Sequence, residues 1–291
     1  SNGNTTGRGT AVGAYALEDQ TIGSHNTALG DNALRQLTTG SNNTAVGHKA
    51  SFTITTGIDS VAIGNFALQV ATANQNVGVG VSALTATTTG SNNVAVGLRA
   101  MMANTTGASS VAIGQEALKS VTTGGSNVAV GSAAAFGITT GTYNIAIGKN
   151  TLYNNNVTEC VVIGNSAGGW NAANGTIAIG HEALKAGTTA HQNVVVGNRA
   201  LDAATTTNDT VAVGFEALTT NTTGAANVAV GANALDANTT ASSNTAVGQN
   251  ALTANTTGDS NTAVGGNALD ANTTGSNLVA VGRHALGANT T

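Results

Sequence analysis

The chain has 291 residues, of which 39 are glycine and none proline; 3% are aromatic, 8% are charged, and the formal net charge is −4. An apolar fraction made mostly of alanine and valine cannot fill one thick globular core, so burial has to be repeated along a line. The thin acidic balance offers no basic face to nucleic acid, no apolar run reaches the ~18 residues of a membrane-spanning helix, and the single Cys160 excludes an intrachain disulfide.

From the first block onward a short motif recurs, Thr/Val–Ala–Val/Ile–Gly, closing at Gly13, Gly30, Gly47, Gly64, Gly80, Gly97, Gly114, Gly131, Gly148, Gly164, Gly180, Gly197, Gly214, Gly231, Gly248, Gly265 and Gly282. The spacing is 17 residues in thirteen of the sixteen intervals and 16 in the other three. Such a period is too short for a helix pair and fits one coil of a parallel β-solenoid or β-roll, with each coil paired to the next about 4.8 Å away. Residues 1–291 therefore read as one continuous all-β repeat domain of about seventeen coils, a section of a longer fibre, roughly 80 Å long at that spacing.

Within each coil the strand comes first. Three residues before the glycine stands a β-branched residue (Thr10, Thr27, Thr44, Val61, Val77, Val94), and one residue before it stands Val, Ile or Leu. The two positions share one strand face, and their chemistry reads as a core. The position between them is Ala in fourteen repeats, the exceptions being Gly78, Val162 and Val195. Near-exclusive alanine implies a second crowded surface, either against a neighbouring chain or on the narrow side of the coil itself.

After the glycine come two freely varying residues, as in His48-Lys49, Gln115-Glu116 and Phe215-Glu216, which read as an exposed turn. Then comes Ala-Leu, as in Ala33-Leu34, Ala117-Leu118 and Ala268-Leu269, a second wall for the core. The corner that follows is Asn-Thr-Thr-Gly or a relative, as in Asn104-Thr105-Thr106-Gly107 and Asn255-Thr256-Thr257-Gly258. Its match to a glycosylation acceptor is a by-product of the turn consensus. Just before each strand an Asn stands in ten of seventeen repeats, including Asn26, Asn43, Asn93, Asn127, Asn227 and Asn261. Stacked, these amides form a ladder along the axis. Cys160 occupies that column as an inert substitution rather than a reactive thiol.

These residues carry a resemblance. Asn43-Thr44-Ala45-Val46-Gly47, followed by Ala-Leu and Thr-Thr-Gly, resembles the head repeats of trimeric autotransporter adhesins (YadA-like, or Hep/Hag, repeats), and similar repeats occur in bacteriophage tail fibres. The resemblance spans essentially the whole chain, although the period is longer than the family's by a threonine-rich turn. It implies a left-handed parallel β-roll, three chains side by side as a homotrimer, an extracellular place on a cell surface or virion fibre, and attachment to a host surface protein, matrix or glycan.

No catalytic, cofactor or metal constellation emerges. His25, His48, His181, His191 and His284 fall at different repeat positions, the thirteen carboxylates are dispersed, and Gly78-Val79-Gly80 belongs to a strand rather than to a phosphate loop. The least regular stretch, from Lys149 to Thr176, holds Tyr153, Gly168-Gly169 and the sole tryptophan, Trp170. Tyr153 and Trp170 are candidates for a receptor-contact patch; the alternative is a local deletion that Trp170 covers. The sequence thus points to a non-enzymatic adhesive or structural fibre module. The alternatives are a self-stacking extracellular filament subunit and an ice-binding solenoid. The last is disfavoured because adjacent threonines point in different directions.

Overall fold

Three β-branched or small residues ending in glycine can extend only briefly before the chain must bend, and the strands are correspondingly short. In the computed structural model, which describes residues 8–154, 156–169, 173–187 and 191–291, almost every strand is three residues long. The chain divides into two compact units, Ser1–Asn144 and Ile145–Thr291. Unit 1 carries β1 (Gly9–Val12) through β8 (Val128–Val130), and unit 2 carries β9 (Ile145–Ile147) through β17 (Val279–Val281). Within each unit every strand pairs in parallel with the next, like position on like position: Val94 opposite Val111 and Ala95 opposite Ala112 in unit 1, Val228 opposite Thr245 and Ala229 opposite Ala246 in unit 2. The fold is an all-β parallel solenoid in which one repeat makes one coil.

The glycine that ends each strand is required by contact with the next coil. At Gly97 φ is +138°, and a Cβ there would stand 2.5 Å from the carbonyl oxygen of Gly114, so any side chain would collide with backbone.

Past the glycine the chain does not loop out. The second residue after it adopts a left-handed conformation, as at Arg99 (φ 57°) and Glu116 (φ 59°), and so does the fourth, as at Leu84 (φ 53°) and Leu118 (φ 49°). Their amides serve opposite neighbours. Glu116 N–H donates back to Leu98 O at 2.9 Å, while Leu118 N–H donates forward to Ala134 O at 3.0 Å. The turn is therefore bonded to both adjacent coils. This geometry also sorts side chains. A β-branched residue with positive φ is a steric outlier, and the fourth position, on the buried wall, contains Leu, Met, Ser, Ala or Gly but never Val, Ile or Thr. The strands, with negative φ, take the β-branched residues instead.

The interior is the reverse of the expected one. The central alanine of the strands is the buried residue: Ala28, Ala45, Ala62, Ala95, Ala112, Ala129, Ala212, Ala229 and Ala246 are fully buried. The flanking β-branched columns, expected to be the core, point outward and are half-exposed or exposed. The coil is thin, so the inward strand position has to accommodate the Leu wall. A Cβ at Gly78 would lie 3.3 Å from Leu68 Cγ, which leaves room for Ala and little more. The near-invariant alanine thus lines the narrow side of its own coil.

Some departures from the consensus are offset, wholly or in part, within this interior. Val162 replaces Ala where the wall residue is Gly168, and a Cβ on Gly168 would come 2.9 Å from a Val162 methyl. Where the wall shrinks to Ser51 or Ala135, the residue three further on is a fully buried Ile54 or Ile138. Constant volume is what a close-packed interior demands.

Polar columns link the coils. In the column before the strand, each Asn side chain makes two bonds. Asn227 Nδ2 donates to Ala241 O at 2.8 Å, and Asn227 Oδ1 accepts the Asn244 backbone N–H at 2.9 Å. The ladder is therefore mostly side chain to backbone rather than amide to amide. The first threonine of each corner is also committed: Thr55 O accepts the N–H of Thr38 at 2.9 Å, the N–H of Thr39 at 3.2 Å and the Thr38 hydroxyl at 3.0 Å. In unit 2 a second amide ladder stands in the core. Asn238 Nδ2 donates to Asn221 Oδ1 (2.9 Å), Asn255 Nδ2 to Asn238 Oδ1 (3.2 Å) and Asn272 Nδ2 to Asn255 Oδ1 (3.0 Å). These corner asparagines, each the first residue of an Asn-Thr-Thr acceptor motif, are fully buried and bonded, so the fold withholds these four from glycosylation.

Two stability predictions follow from these constraints. Leu118→Val should cost about 2–4 kcal/mol, combining left-handed strain with lost volume, whereas Leu118→Met should cost less than about 1.5 kcal/mol; urea denaturation of both variants checks the order. At the second-ladder position, Asn104 has a buried Oδ1 with no partner, because Val121 stands where a donor would be. Its Nδ2 bond to Gly107 O is duplicated by Asn93. Asn104→Val should therefore stabilise, while Asn238→Val should destabilise by about 1–3 kcal/mol through the groups it orphans. Opposite signs in the same melting assay are the expected result.

Candidate interaction surface

With alanine turned inward, each strand presents two side chains outward. In unit 2 nine strands present 18 such residues, and all but Thr245 and Thr262 are Val or Ile. They retain substantial exposure, for example 37% at Ile145, 38% at Ile147 and 36% at Val230. In unit 1 the same face includes Ile63 and Ile113 at 39% and 42%. Because like residues pair in register, each unit carries a continuous apolar ribbon without a charge. Monomeric proteins rarely leave contiguous apolar surface larger than a few hundred Å² uncovered.

The turn side of the coil is different. The second and fifth residues after the glycine form lateral side-chain ladders. Over the first four coils these alternate rings and cations: the Arg35 guanidinium lies 5.0 Å from the Tyr15 ring and 5.9 Å from Phe52, and Lys49 Nζ lies 5.8 Å from Phe52 and 5.7 Å from Phe66. His48 meets the Phe66 ring edge-on at 5.4 Å and Asp31 at 3.6 Å. Further along, Arg99 and Lys119 both reach Glu116, at 3.4 and 2.9 Å. The Lys119 ammonium holds the Glu116 carboxyl below its ordinary range. Lys185 does the same to Glu182, while burial and the neighbouring Glu216 charge push Asp236 up. Such partly exposed pairs contribute weakly, whether they link adjacent coils, as Arg99–Glu116 does, or lie within one coil, as Lys119–Glu116 and Lys185–Glu182 do.

Tyr153 stands in this lateral series and is half-buried. Trp170 lies outside the described residues. Cys160 is fully buried and forms no disulfide. Its Sγ donates to Ala173 O at 3.2 Å in place of an asparagine amide, and burial pushes the thiol pKa up, which fits an inert place in the column. At the corners the two threonines do part company. The first gives its hydroxyl to the next coil, as Thr105 does to Thr122 O at 3.0 Å, while the second, as at Thr106 and Thr123, is exposed. Among the described residues no three His, Cys, Asp or Glu side chains gather to hold a metal ion, and no helix is long and apolar enough to cross a membrane.

The chain matches no family model and no curated protein. The sequence does not reveal the outward ribbon, because alternation separates two faces without saying which is inside. Variability was the available signal, since Val, Ile, Thr and Leu exchange freely on the outward face while alanine hardly changes.

The inversion alters what an alanine substitution tests. Ala229→Leu, and equally Ala129→Leu, should destabilise the single chain by about 1–3 kcal/mol through overpacking. Val230→Thr, on the half-exposed face, should shift stability by less than about 1 kcal/mol. Denaturant titration at a concentration where the chain is monomeric separates the two.

Proposed function

We propose that this chain is a structural and adhesive fibre module without catalytic activity, displayed outside the cell or on a virion, that assembles with copies of itself through the outward faces of its strands. The observation that carries this reading is the continuous Val/Ile ribbon. It is apolar, uncharged, regular from coil to coil and half-exposed in a single chain. A second copy offers the same periodicity in the same register, so every Val or Ile row meets a row of its own spacing. Three chains side by side, each wound left-handed, would enclose three such ribbons at one axis, as the adhesin and tail-fibre resemblance implies.

The lateral ladders and the exposed second threonines would then face outward, toward a host surface protein, matrix or glycan. The Tyr15–Arg35–Phe52–Lys49–Phe66 series supplies rings and cations for such a contact, and Tyr153 lies on the same side of its own coil. The net charge of −4 speaks against a polyanionic nucleic acid partner.

Sedimentation velocity of the full chain should give a species of three chain masses. Val213→Lys combined with Val230→Lys should convert it to single chains with an unchanged far-ultraviolet circular dichroism spectrum. A wild-type chain that sediments as a monomer at micromolar concentration would refute the proposal.

A further inference from the structure

Among the described residues of unit 2, one place has two consecutive coils without the asparagine that links the others. The column before the strand normally supplies an amide that donates to the next corner and accepts the next backbone N–H, as at Asn244, which bonds Gly258 O at 2.9 Å and the Asn261 N–H at 2.9 Å. At the two coils beginning with β10 (Val161–Ile163) and β11 (Ile177–Ile179) this column holds Cys160 and Thr176 instead. Cys160 keeps the geometry through sulfur, which is a weak donor and a weak acceptor. Thr176 has a fully buried hydroxyl with no partner. This is not a general property of threonine in the column. The Thr210 hydroxyl donates to Asn208 O at 3.1 Å and accepts from the Asn227 N–H at 3.4 Å.

Two further differences coincide there. The leucine of the buried wall is missing at Gly168, and Val162 offsets that loss only in part, since valine adds fewer carbons over alanine than the leucine-to-glycine change removes. Both neighbouring intervals, Gly148 to Gly164 and Gly164 to Gly180, are the 16-residue kind. By contrast, the coils from Asn221 to Asn272 carry both amide ladders. In a solenoid each coil touches only its neighbours, so stability is a sum of local terms and a run of weak junctions is not averaged away.

We propose that unit 2 opens locally where β10 pairs with β11, at Cys160 and Thr176, ahead of its global unfolding, and that this seam is a built-in yielding point of the fold. The inference concerns a single chain and does not depend on the oligomeric reading above. Opening of one region below the global free energy is a known behaviour of proteins with uneven local stability.

Cys160, the only thiol of the chain, reports the event directly. The full-length protein is incubated with 5,5′-dithiobis(2-nitrobenzoate) without denaturant and at low urea. Labelling should run at least ten times faster than global unfolding allows and depend only weakly on urea, and Thr176→Asn should slow it about tenfold by supplying the missing amide. In a Cys160→Ser background, Ala178→Cys should label at least ten times faster than Ala246→Cys, which probes the same buried column among intact ladders. Labelling of Cys160 with the rate and urea dependence of global unfolding would overturn the proposal. So would equal rates at the two introduced thiols.

Discussion

The structure depends on hydrogen bonds directed along the stacking axis between identical positions one coil apart. Strands supply some of them, but the turns supply as many. Glu116 bonds backward and Leu118 forward, and the Thr38 and Thr39 amides converge on Thr55 O. Once nearly every backbone group is committed to the coil above or below, composition follows. Proline is excluded because it lacks the N–H, glycine is enforced where carbonyls of adjacent coils approach, and asparagine and threonine are favoured where a side chain bonds along the same direction. The sequence looks like low-complexity polar material, yet its column asparagines and the first threonines of its corners have axial bonds to make.

The same constraint explains a division of labour among apolar residues. Left-handed turn positions exclude β-branched side chains, so the buried wall is built from leucine. The strand favours β-branching but has no room for it inward, so those residues go out and alanine goes in. The apolar ribbon on the outside is therefore a by-product of a thin interior before it is anything else. A β-solenoid this narrow cannot hide its best strand formers, and an assembly that covers them turns a liability into an interface.

Much of this is legible in the sequence. The glycine spacing located all the strands, and the alternation within Val94-Ala95-Val96 separated two faces correctly. The column before the strand reads as a ladder, with Cys160 as a member. Which face lay inside was not legible from alternation alone, because a period of two is symmetric. The decision rested on coil thickness, a property of the left-handed turn at residues such as Leu84 and Leu118 that no local pattern announced. The second ladder was hidden for another reason: Asn238 and Asn255 read as corner residues in an Asn-Thr-Thr-Gly consensus, and only the stacking shows that their side chains turn into the core. Of the candidate contact residues, Tyr153 falls among the lateral side chains, whereas Trp170 lies outside the described residues.

Repetition also changes what a single substitution means. In a globular core, a lost hydrogen bond is shared among many neighbours. Here Asn104 and Asn238 occupy equivalent positions with opposite energetic roles, because one has Val121 as its neighbour and the other has Asn255. A column is worth most when unbroken, since each amide both donates and accepts, and an interruption strands the residues on either side. Two interruptions among the described residues, Thr87 beside Asn104 and Thr176 beside Cys160, leave buried polar atoms unpartnered, whereas Thr210 turns its hydroxyl to Asn208 O and the Asn227 N–H and strands nothing. Irregularity in such a fold is a local energetic event, and where irregularities cluster, the stack has its own place to give way.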